Sequence, residues 1–527
     1  MTDSKEFHAL NDLNDLIDKI RRTEDSGRLL QSWIACHPDD YQAMNRLADL
    51  LFQNGRVSDA VQCYREVVKI HPDHQRAFRV MGNAFRVLGK VEDAIDCYRA
   101  ALAIKQDRAT HSRLLLAMNY SSRVSLEETV VEHKRWAQLY ALPLQGVMPA
   151  HDNVPDRNRT LHIGYVSPDF KSHPVSYFFA PIIKTHDRAR FRVICYSNVQ
   201  KGDGVTRGLK SQADVWRDIA KLDDKRVCET IREDGIDILV DLAGHTSGNR
   251  LTVFARKPAP LQISYLGYPN TTGLDTIDYR LTDHWTDPPG DADGLCSEKL
   301  ERLPNGFLCF EPPDNAPAIV DPPVLANGYI TFGSFNKISK VTDEVIAVWA
   351  KILNAVPRSR LLIKTQGLEQ PAEKQRVINM FVDAGLGDPT RVEIIGLVPS
   401  RTQHLSMYGR VDIGLDPFPY NGTTTTCQAV WMGVPVISLT GDRHVSRVGL
   451  SIASQLGLVE LAVQGIDDYV DTAITLASDP SHLRNFRRAI RQTMATSSLT
   501  NKKDFVAALE VAYRRMWIEW CERRVSG

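Results

Sequence analysis

Four consecutive threonines, Thr423 to Thr426, lie inside the segment LDPFPYNGTTTTCQAVWMGVPVI at 415–437. They follow a Pro/Gly turn and precede an apolar helical pattern, which predicts a helix N-terminus at this point. Backbone N–H groups there, together with threonine hydroxyls, can hold a diphosphate without a cation. Taken alone, the run favours an ordinary polar helix cap. The neighbouring motifs described below favour the phosphate-binding loop.

Histidine and carboxylate side chains elsewhere are candidate acid–base groups. His173 sits in a Pro-bearing turn after a predicted strand, where it can face a cleft or cap its own backbone. Asp241 and His245 lie four residues apart at the end of another predicted strand. A carboxylate near an imidazole can tune a general base for a hydroxyl substrate. The sequence does not show which of these groups would accept the proton of the hydroxyl.

The sequence offers little that would hold a metal ion. Asp291-Ala292-Asp293 is the sole Asp-x-Asp pair, and it falls in a Pro/Gly-rich stretch, DPPGDADG, that is typical of a solvated turn. The nine cysteines are scattered and form no Cys-x-x-Cys pair, which is the usage of a reduced cytoplasm without structural zinc. We therefore predict no metal at the active site and a cytoplasmic location.

Charge and length exclude several classes of protein. Lys plus Arg and Asp plus Glu number 64 each, so no overall field favours nucleic acid or an anionic membrane. Residues 1–16 lack the apolar core of a secretory signal, and no stretch approaches the ~20 apolar residues that span a bilayer. At 527 residues the chain exceeds one hydrophobic core and predicts about three or four domains.

The elements that must position these residues begin with an internal repeat. His37-Pro38-Asp39 recurs as His71-Pro72-Asp73, 34 residues later, which is the period of tetratricopeptide repeats. The sequence predicts two complete helical repeats, flanked by degenerate capping units at 8–36 and 107–140. Small and large residues recur in register in the pairs Leu47/Met81, Ala48/Gly82, Leu51/Phe85, Gly55/Gly89, Asp59/Asp93, Ala60/Ala94 and Tyr64/Tyr98.

From about residue 151 the pattern changes to short β-rich runs that alternate with helical stretches, which is typical of an α/β fold. A Pro-rich break at 312–323 divides the runs into two sets. Neither set carries Gly-x-Gly-x-x-Gly after its first strand, which argues against a nicotinamide or flavin dehydrogenase. We expect helical repeats over 1–150 and Rossmann-like domains over 151–320 and 321–527. The predicted strands are 161–167, 192–198, 237–243 and 262–267, then 329–335, 360–365, 392–397, 411–416 and 434–439.

Six motifs, in order along the chain, carry a family resemblance. The chain resembles the O-GlcNAc transferases and the related plant Spindly-type O-fucosyltransferases, which are inverting enzymes of GT-B fold that glycosylate Ser or Thr on proteins. The resemblance covers about residues 37–520. The motifs are GYVSPDFKSHPVSYFF at 164–179, DILVDLAGHTSGNR at 237–250, KPAPLQISYLGYPNTTG at 257–273, GSFNKISKVTDEV at 333–345, VPSRTQHLSMYGRVDIGLDPFPYNGTTTT at 398–426 and SRVGLSIASQLGL at 446–458.

This resemblance implies an enzyme that needs no cofactor and uses a nucleotide-sugar donor, with UDP-GlcNAc as the leading candidate. It implies a protein acceptor, engaged in part through the repeats. The acceptor side would lie in 151–320 and the nucleotide-sugar site in 321–527. The expected catalytic residues are His173 and Lys340, which the resemblance implies, together with Asp241 and His245, which their spacing at a strand end suggests. The expected donor-binding residues are Lys337, Arg401, His404, Thr423, Thr424, Thr425 and Gln428.

Several departures from the family pattern bear on these expectations. Gln428 stands where family members usually carry a carboxylate for the donor ribose, and Thr423 stands where the animal enzymes have a histidine. Arg46 and Val80 occupy positions where long repeat arrays carry asparagine. The threonine run followed by Cys427 resembles the Spindly-type loop at least as well, so GDP-fucose is an alternative donor. A repeat scaffold with weakened catalysis is the alternative from another class.

Overall fold

The computed structural model describes residues 15–16, 26–37, 39–146, 150–368 and 370–526. Its first part is a row of helices, as the repeat period predicts. These helices are Ser26–Cys36 (α1), Tyr41–Gln53 (α2), Val57–Ile70 (α3), Gln75–Val87 (α4), Val91–Ile104 (α5), Arg108–Met118 (α6) and Leu126–Tyr140 (α7).

Each complete repeat is a helix pair joined at a glycine. Gly55 and Gly89 adopt φ angles of +76° and +77°, a left-handed conformation that glycine reaches without a Cβ clash. Gly82 lets the helices of the second repeat approach closely, because a Cβ there would lie 2.6 Å from the Tyr98 ring. The two predicted repeats and the helices within 107–140 are confirmed. Most of the predicted cap before Ser26 lies outside the described residues.

The first α/β unit is built on a seven-stranded parallel sheet in the order β3-β2-β1-β4-β5-β6-β7. The four predicted strands are present as β1, β2, β4 and β5, with boundaries that differ by up to three residues. Sequence patterning missed β3, β6 and β7, because charged residues interrupt their apolar pattern. The strands are Leu161–Ser167 (β1), Phe191–Ser197 (β2), Val215–Asp218 (β3), Ile238–Asp241 (β4), Leu261–Ser264 (β5), Tyr279–Thr282 (β6) and Lys299–Arg302 (β7).

Helices connect these strands and follow the sheet as crossovers. They are Pro174–Thr185 (α8), Gly204–Lys210 (α9), Asp224–Glu233 (α10), Leu251–Ala255 (α11) and Asp291–Gly294 (α12).

The second α/β unit repeats this plan with six parallel strands in the order β10-β9-β8-β11-β12-β13. The five predicted strands are present, and the two-residue β13 was missed. The order reverses between β8 and β11, as it does between β1 and β4 in the first sheet, and ligands bind at such reversal points in this fold class. The strands are Thr331–Ser334 (β8), Arg360–Lys364 (β9), Val392–Ile395 (β10), Ile413–Leu415 (β11), Val436–Leu439 (β12) and Ala462–Val463 (β13).

The second unit also carries most of the remaining helices. They are Val324–Asn327 (α13), Asp343–Ala355 (α14), Pro371–Asp383 (α15), Arg401–Ser406 (α16), Thr424–Trp431 (α17), Val448–Leu456 (α18), Ile466–Ser478 (α19), Pro480–Ala495 (α20) and Lys502–Ser526 (α21).

Helix α21 returns to the first unit. The Tyr513 hydroxyl lies 3.3 Å from the Tyr165 hydroxyl of β1, and the indole of Trp517 donates to the carbonyl of Asp156 at 2.9 Å. Helix α21 therefore packs against the first α/β unit, although it follows the second unit in the chain. Among the described residues no helix combines the length and apolar character needed to cross a membrane.

Helices α6 and α7 pack into the first α/β unit. Trp136 and His133 of α7 are fully buried, and His133 Nε2 lies 2.8 Å from the Tyr268 hydroxyl. The Ser112 hydroxyl of α6 lies 3.1 Å from His245 Nδ1. One hydrophobic core runs from the repeats into residues of the first sheet. These two helices therefore belong structurally to both the array and the first unit.

The carboxyl ends of the two sheets face each other across a cleft. Asp287 and Trp285 follow β6 of the first sheet, and His444 and Arg447 follow β12 of the second. His444 Nδ1 lies 2.7 Å from Asp287 Oδ2, and the Arg447 guanidinium donates to the Trp285 carbonyl at 2.8 Å. The cleft therefore brings the loops after both sets of strands together, as the predicted pair of Rossmann-like domains requires.

The packing of α6 and α7 leads to a prediction about truncation. Deleting residues 1–105 should leave a cooperatively folding protein, because α6 and α7 remain against the first sheet. Deleting residues 1–141 should prevent folding, because it removes the buried Trp136 from the core and takes away the partners of His245 Nδ1 and the Tyr268 hydroxyl. Circular dichroism melts and gel filtration of both proteins measure this difference. Equal cooperative melts would contradict the structural role assigned to α6 and α7.

Candidate active site

The turn between β11 and α17 is held by a buried carboxylate. Asp416 is 1% exposed and accepts hydrogen bonds from the Gly422 N–H at 2.7 Å and the Ser438 hydroxyl at 2.9 Å. A Cβ at Gly422 would lie 2.5 Å from Thr426 Oγ1, so only glycine fits this position. The chain therefore passes tightly over the carboxylate before it enters the helix.

The four threonines form the N-terminus of α17, as predicted. Thr423 is the cap residue but makes no side-chain cap hydrogen bond, so its hydroxyl does not play the ordinary capping role. Thr425 donates to Asn336 Oδ1 at 2.9 Å. Within the described part of the chain, the buried hydroxyl oxygens of Thr424 and Thr426 have no hydrogen-bond partner. The first turn of this helix thus presents backbone N–H groups and unsatisfied hydroxyls together, a suitable cradle for an anion.

Lys340 extends its ammonium group to the same turn. It ends a short 3₁₀ helix after β8, and its Nζ donates to the Asn421 carbonyl at 2.6 Å. The same atom lies 4.2 Å from the centroid of the Tyr420 ring, within cation–π range. Burial lowers the pKa of Lys340 to about 7, although the Asp416 carboxylate opposes this shift; the positive charge of Lys337 adds to it.

His173 lies across the cleft on the first α/β unit. It caps the N-terminus of α8, and its Nδ1 lies 3.4 Å from the Val175 N–H and 3.6 Å from Asp169 Oδ2. Burial, together with the positive charges of Lys337 and Lys171, lowers the pKa of His173 to about 4. The imidazole is therefore neutral at physiological pH and can exchange a hydrogen bond with a hydroxyl group. Lys337 is exposed, and its positive charge lowers the pKa of both His173 and Lys340.

Arg401, His404 and Gln428 gather beside the start of α17. His404 Nε2 lies 3.0 Å from Gln428 Oε1, and burial lowers the pKa of His404, although its hydrogen bond to Gln428 opposes the shift. The Arg401 guanidinium lies 4.2 Å from the ring centroid of Tyr177, which belongs to α8. The structure thus brings these three predicted residues close to the threonine loop, with Arg401 also touching the opposite unit.

The expected pairing of Asp241 with His245 is wrong. The Asp241 carboxylate accepts the backbone N–H groups of Ala243 and Gly244 at 3.1 and 2.7 Å. His245 is 1% exposed, and its ring nitrogens contact Ser112 and the Thr272 carbonyl. The turn after β4 points the imidazole into the packing of α6 and α7, so the two side chains do not form a carboxylate–imidazole pair.

One match defines the family. Residues 143–312 and 323–509 match the model of glycosyl transferase family 41. The chain belongs to glycosyl transferase family 41. Residues 21–74 and 45–109 match a tetratricopeptide repeat model, in agreement with the helical array.

Individual relatives in family 41 support the same architecture. The O-GlcNAc transferase of Thermobaculum terrenum, solved as a lysine-to-methionine mutant, is 36% identical with a TM-score of 0.86, covering 98% of this chain and 99% of that one. The probable UDP-N-acetylglucosamine–peptide N-acetylglucosaminyltransferase SPINDLY of Petunia hybrida is 42% identical over 78% of this chain and 44% of its own length. The corresponding SEC protein of Arabidopsis thaliana is 30% identical over 69% of this chain and 38% of its own length. The chain thus spans less than half the length of the curated relatives it matches.

Several site residues of this family 41 chain escaped the sequence analysis. Asp416 was not among the predicted site residues, although its position before a Pro/Gly turn was a usable signal. Asn336 and Tyr420 contact Thr425 and Lys340, but neither lies in a pattern with chemical meaning of its own. Tyr177 meets Arg401 only because the two α/β units face each other, which no local pattern reports.

The candidate Asp-x-Asp pair has partners within the protein. Asp293 accepts from the Gly290 N–H at 2.9 Å and pairs with Arg302 at 2.9 Å. Over the described ranges, no group of three or more His, Cys, Asp or Glu side chains is arranged to hold a metal ion. The turn interpretation of DPPGDADG therefore agrees with the local hydrogen bonds.

The lowered pKa of Lys340 predicts that nucleotide binding takes up a proton. A bound diphosphate favours the charged ammonium and raises its pKa, so UDP affinity should be full below about pH 7 and fall as pH rises, by up to ~10-fold per pH unit. Calorimetry between pH 7.5 and 9, in buffers of different ionisation enthalpy, measures the uptake directly. In this range the phosphate itself no longer titrates.

Lys340→Met is the matched control for this measurement. It should abolish the proton uptake and flatten the pH dependence of UDP affinity. If the native protein binds UDP without proton uptake, the lysine does not meet the diphosphate.

Proposed function

We propose that this protein is an inverting glycosyltransferase that moves N-acetylglucosamine from UDP-GlcNAc to Ser or Thr hydroxyls of a protein. The observation that carries the proposal is the meeting of the Lys340 ammonium with the threonine-rich N-terminus of α17, opposite a neutral His173. The activities for which the similar proteins are named support the choice of donor and of a protein acceptor.

The donor half of the reaction uses the second α/β unit. When the glycosidic bond to the diphosphate breaks, negative charge develops on the leaving oxygen. Lys340, the N-terminus of α17 and the hydroxyls of Thr423, Thr424 and Thr425 stabilise that charge without a metal ion. Because the charge is larger in the transition state than in the bound donor, these groups accelerate the reaction in addition to binding the donor.

The nucleoside half of the donor fits the residues beside the loop. Arg401 and His404 lie at the start of α16, and Gln428 is one helical turn into α17, beside the threonine loop. We assign them to the base and ribose of the nucleotide, and Lys337 to the phosphate. The Gln428 amide already accepts from His404, which leaves its nitrogen as a donor toward the ribose.

The acceptor hydroxyl would enter from the side of His173. Attack on the anomeric carbon opposite the leaving diphosphate inverts its configuration. The acceptor proton must then leave, and His173 is the neutral imidazole nearest to the cleft side of α8. In the structure Nδ1 accepts the Val175 N–H, so accepting the hydroxyl proton on Nε2 requires the other tautomer, in which Nδ1 carries the proton and directs it at Asp169, 3.6 Å away. We assign His173, in that tautomer, as the group that contacts the acceptor. His245 has no part in this scheme.

The proposed roles follow the boundaries of the predicted domains. We assign residues 1–150 to repeats that help to hold the protein acceptor, 151–320 to the acceptor side and 321–527 to the donor. The scattered, unpaired cysteines are consistent with an acceptor in the reducing cytoplasm.

GDP-fucose is a second donor candidate. It is supported by the resemblance of the Thr423–Thr426 run and Cys427 to the Spindly-type loop, and SPINDLY proteins share more identity with this chain than the SEC protein does. The protein fold and the role of Lys340 are the same for either donor.

A donor competition decides between these candidates. We expect purified protein, incubated with a cell lysate and UDP-GlcNAc, to add a HexNAc increment to Ser or Thr peptides in mass spectra, and GDP-fucose to add none. Transfer should persist in excess EDTA, because a lysine and a helix N-terminus replace a cation. Lys340→Met, which should retain only a small fraction of the transfer activity, is the control. A deoxyhexose increment instead would move the assignment to GDP-fucose, and no increment from either donor would favour the scaffold.

Two substitutions should separate binding from transfer. His173→Ala should lower transfer by ~10²-fold or more, because the hydroxyl loses its proton acceptor, while UDP affinity stays within about twofold since the nucleotide lies on the other unit. Lys340→Met should lower turnover by ~10²-fold or more with little change in thermal stability. Kinetics and UDP calorimetry on both variants test this. Weak UDP binding by His173→Ala would mean that the assignment of the two sides is wrong.

A further inference from the structure

Four consecutive residues after α6 touch all three parts of the molecule. The Asn119 side-chain amide donates to the Tyr268 hydroxyl of the first α/β unit at 2.9 Å. The Ser121 hydroxyl donates to Glu92 of α5 at 2.6 Å, and the Ser122 hydroxyl donates to Glu344 of α14 at 2.6 Å. The segment 119–122 is therefore fixed from three sides, by the repeats and by both α/β units.

The remaining residue of this segment, Tyr120, contacts the stretch of chain that leads into the threonine loop. Its side chain is 5% exposed and its ring stacks on Tyr420, with centroids 4.6 Å apart and planes inclined by 19°. Its hydroxyl lies beside Ser339, the residue before Lys340. Tyr120 thus contacts the two stretches of chain that carry the lysine and the threonine loop.

Tyr420 in turn defines where the Lys340 ammonium sits. The Nζ atom lies 4.2 Å from the Tyr420 ring centroid and bonds to the carbonyl of the next residue, Asn421. A lysine has four rotatable bonds and gains little by holding one rotamer unless its surroundings define a position for the charge. A rotation of the Tyr420 ring would remove the aromatic face on which the ammonium rests.

We propose that Tyr120 is a positioning residue for sugar transfer: by stacking on Tyr420 it holds the Lys340 ammonium at the donor diphosphate. The inference rests on the proposed function, and it makes the helical region part of the donor site as well as an acceptor-binding surface. Tyr120 itself touches neither the donor nor the acceptor in this scheme. Its effect passes through the aromatic stack to Lys340.

The test compares variants that keep or remove the aromatic ring. Tyr120→Phe should keep kcat within about twofold, because the stacked face remains. Tyr120→Leu and Tyr120→Met should lower kcat by ~10-fold or more, with a smaller change in donor KM, because a displaced lysine mainly loses its interaction with the transition state. Tyr120→Met also retains a flexible apolar side chain of useful volume, so it serves if the leucine variant does not fold. Tyr140→Leu is the matched control, since Tyr140 lies in α7 and its ring contacts are His111 and Trp136.

A second readout separates positioning from a general loss of structure. The groups that act on the Lys340 charge are Asp416 and Lys337, and neither is altered by these variants. Proton uptake on UDP binding should therefore change in Tyr120→Leu and stay native in Tyr120→Phe and Tyr140→Leu. In a Lys340→Met background, Tyr120→Leu should cause no further loss of kcat, whereas a purely structural defect would add to it.

Three results would overturn the inference. They are a native kcat in Tyr120→Leu, an equal loss in Tyr120→Phe, or a full additional loss in the Lys340→Met background. The UDP measurement needs no acceptor and no sugar transfer. If the protein transfers no sugar but the proton uptake still responds to Tyr120, the proposed function has failed and the positioning role stands.

Discussion

The conformation of the turn between β11 and α17, which leads into the threonine loop, depends on one buried carboxylate. Asp416 binds the Gly422 N–H and the Ser438 hydroxyl, and its own carbonyl accepts from the Tyr469 hydroxyl at 2.9 Å. Burial raises the pKa of Asp416 to about 6, against the pull of Lys340 and these hydrogen bonds. A carboxylate in such surroundings stays ionised only with donors and a nearby cation. The same group therefore shapes the loop and stabilises a lysine beside it.

The contacts that join the two α/β units differ in strength across the cleft. At β6 and β12, the buried carboxylate of Asp287 pairs with Arg280 of its own sheet at 3.2 Å and lies 2.7 Å from the buried His444 ring of the other unit. Separating the units there would leave buried polar atoms of Asp287 and His444 without this hydrogen bond. Beside the threonine loop, Arg401 is exposed and rests on Tyr177, a contact of only ~0.5–1 kcal/mol at exposed sites. Local movement on the Arg401 side costs less than separation at the other end, so a nucleotide is best admitted there.

Sequence patterns predicted those features of the molecule that are determined by residues close together in the sequence. A run such as LHIGYVS is apolar on both faces because β1 is buried on both, and the threonine loop and Lys340 lie in recognisable motifs. Strand β7 was not predictable, because the charge of Glu301 is compensated by Arg515, far along the chain. The predicted pairing of Asp241 with His245 is wrong, because a spacing of four residues does not show that the turn after β4 directs the imidazole away from the carboxylate. Tyr120 had no signal at all, because its role arises from a contact between distant segments.

The repeats connect the two α/β units as well as extending from them. Arg376 of α15 donates to the Leu88 carbonyl at 2.8 Å, and the Ser58 N–H donates to Glu373 at 3.0 Å, so the array binds the second unit directly. Helices α6 and α7 bind the first unit through Tyr268 and His245. A body attached to both sides of a cleft resists rigid opening, because any wide separation must break one of these two sets of contacts. Motion that admits the donor is therefore confined to the loops at the cleft, or it carries the repeats with it, and in that case the position of the array and the geometry of the donor site change together.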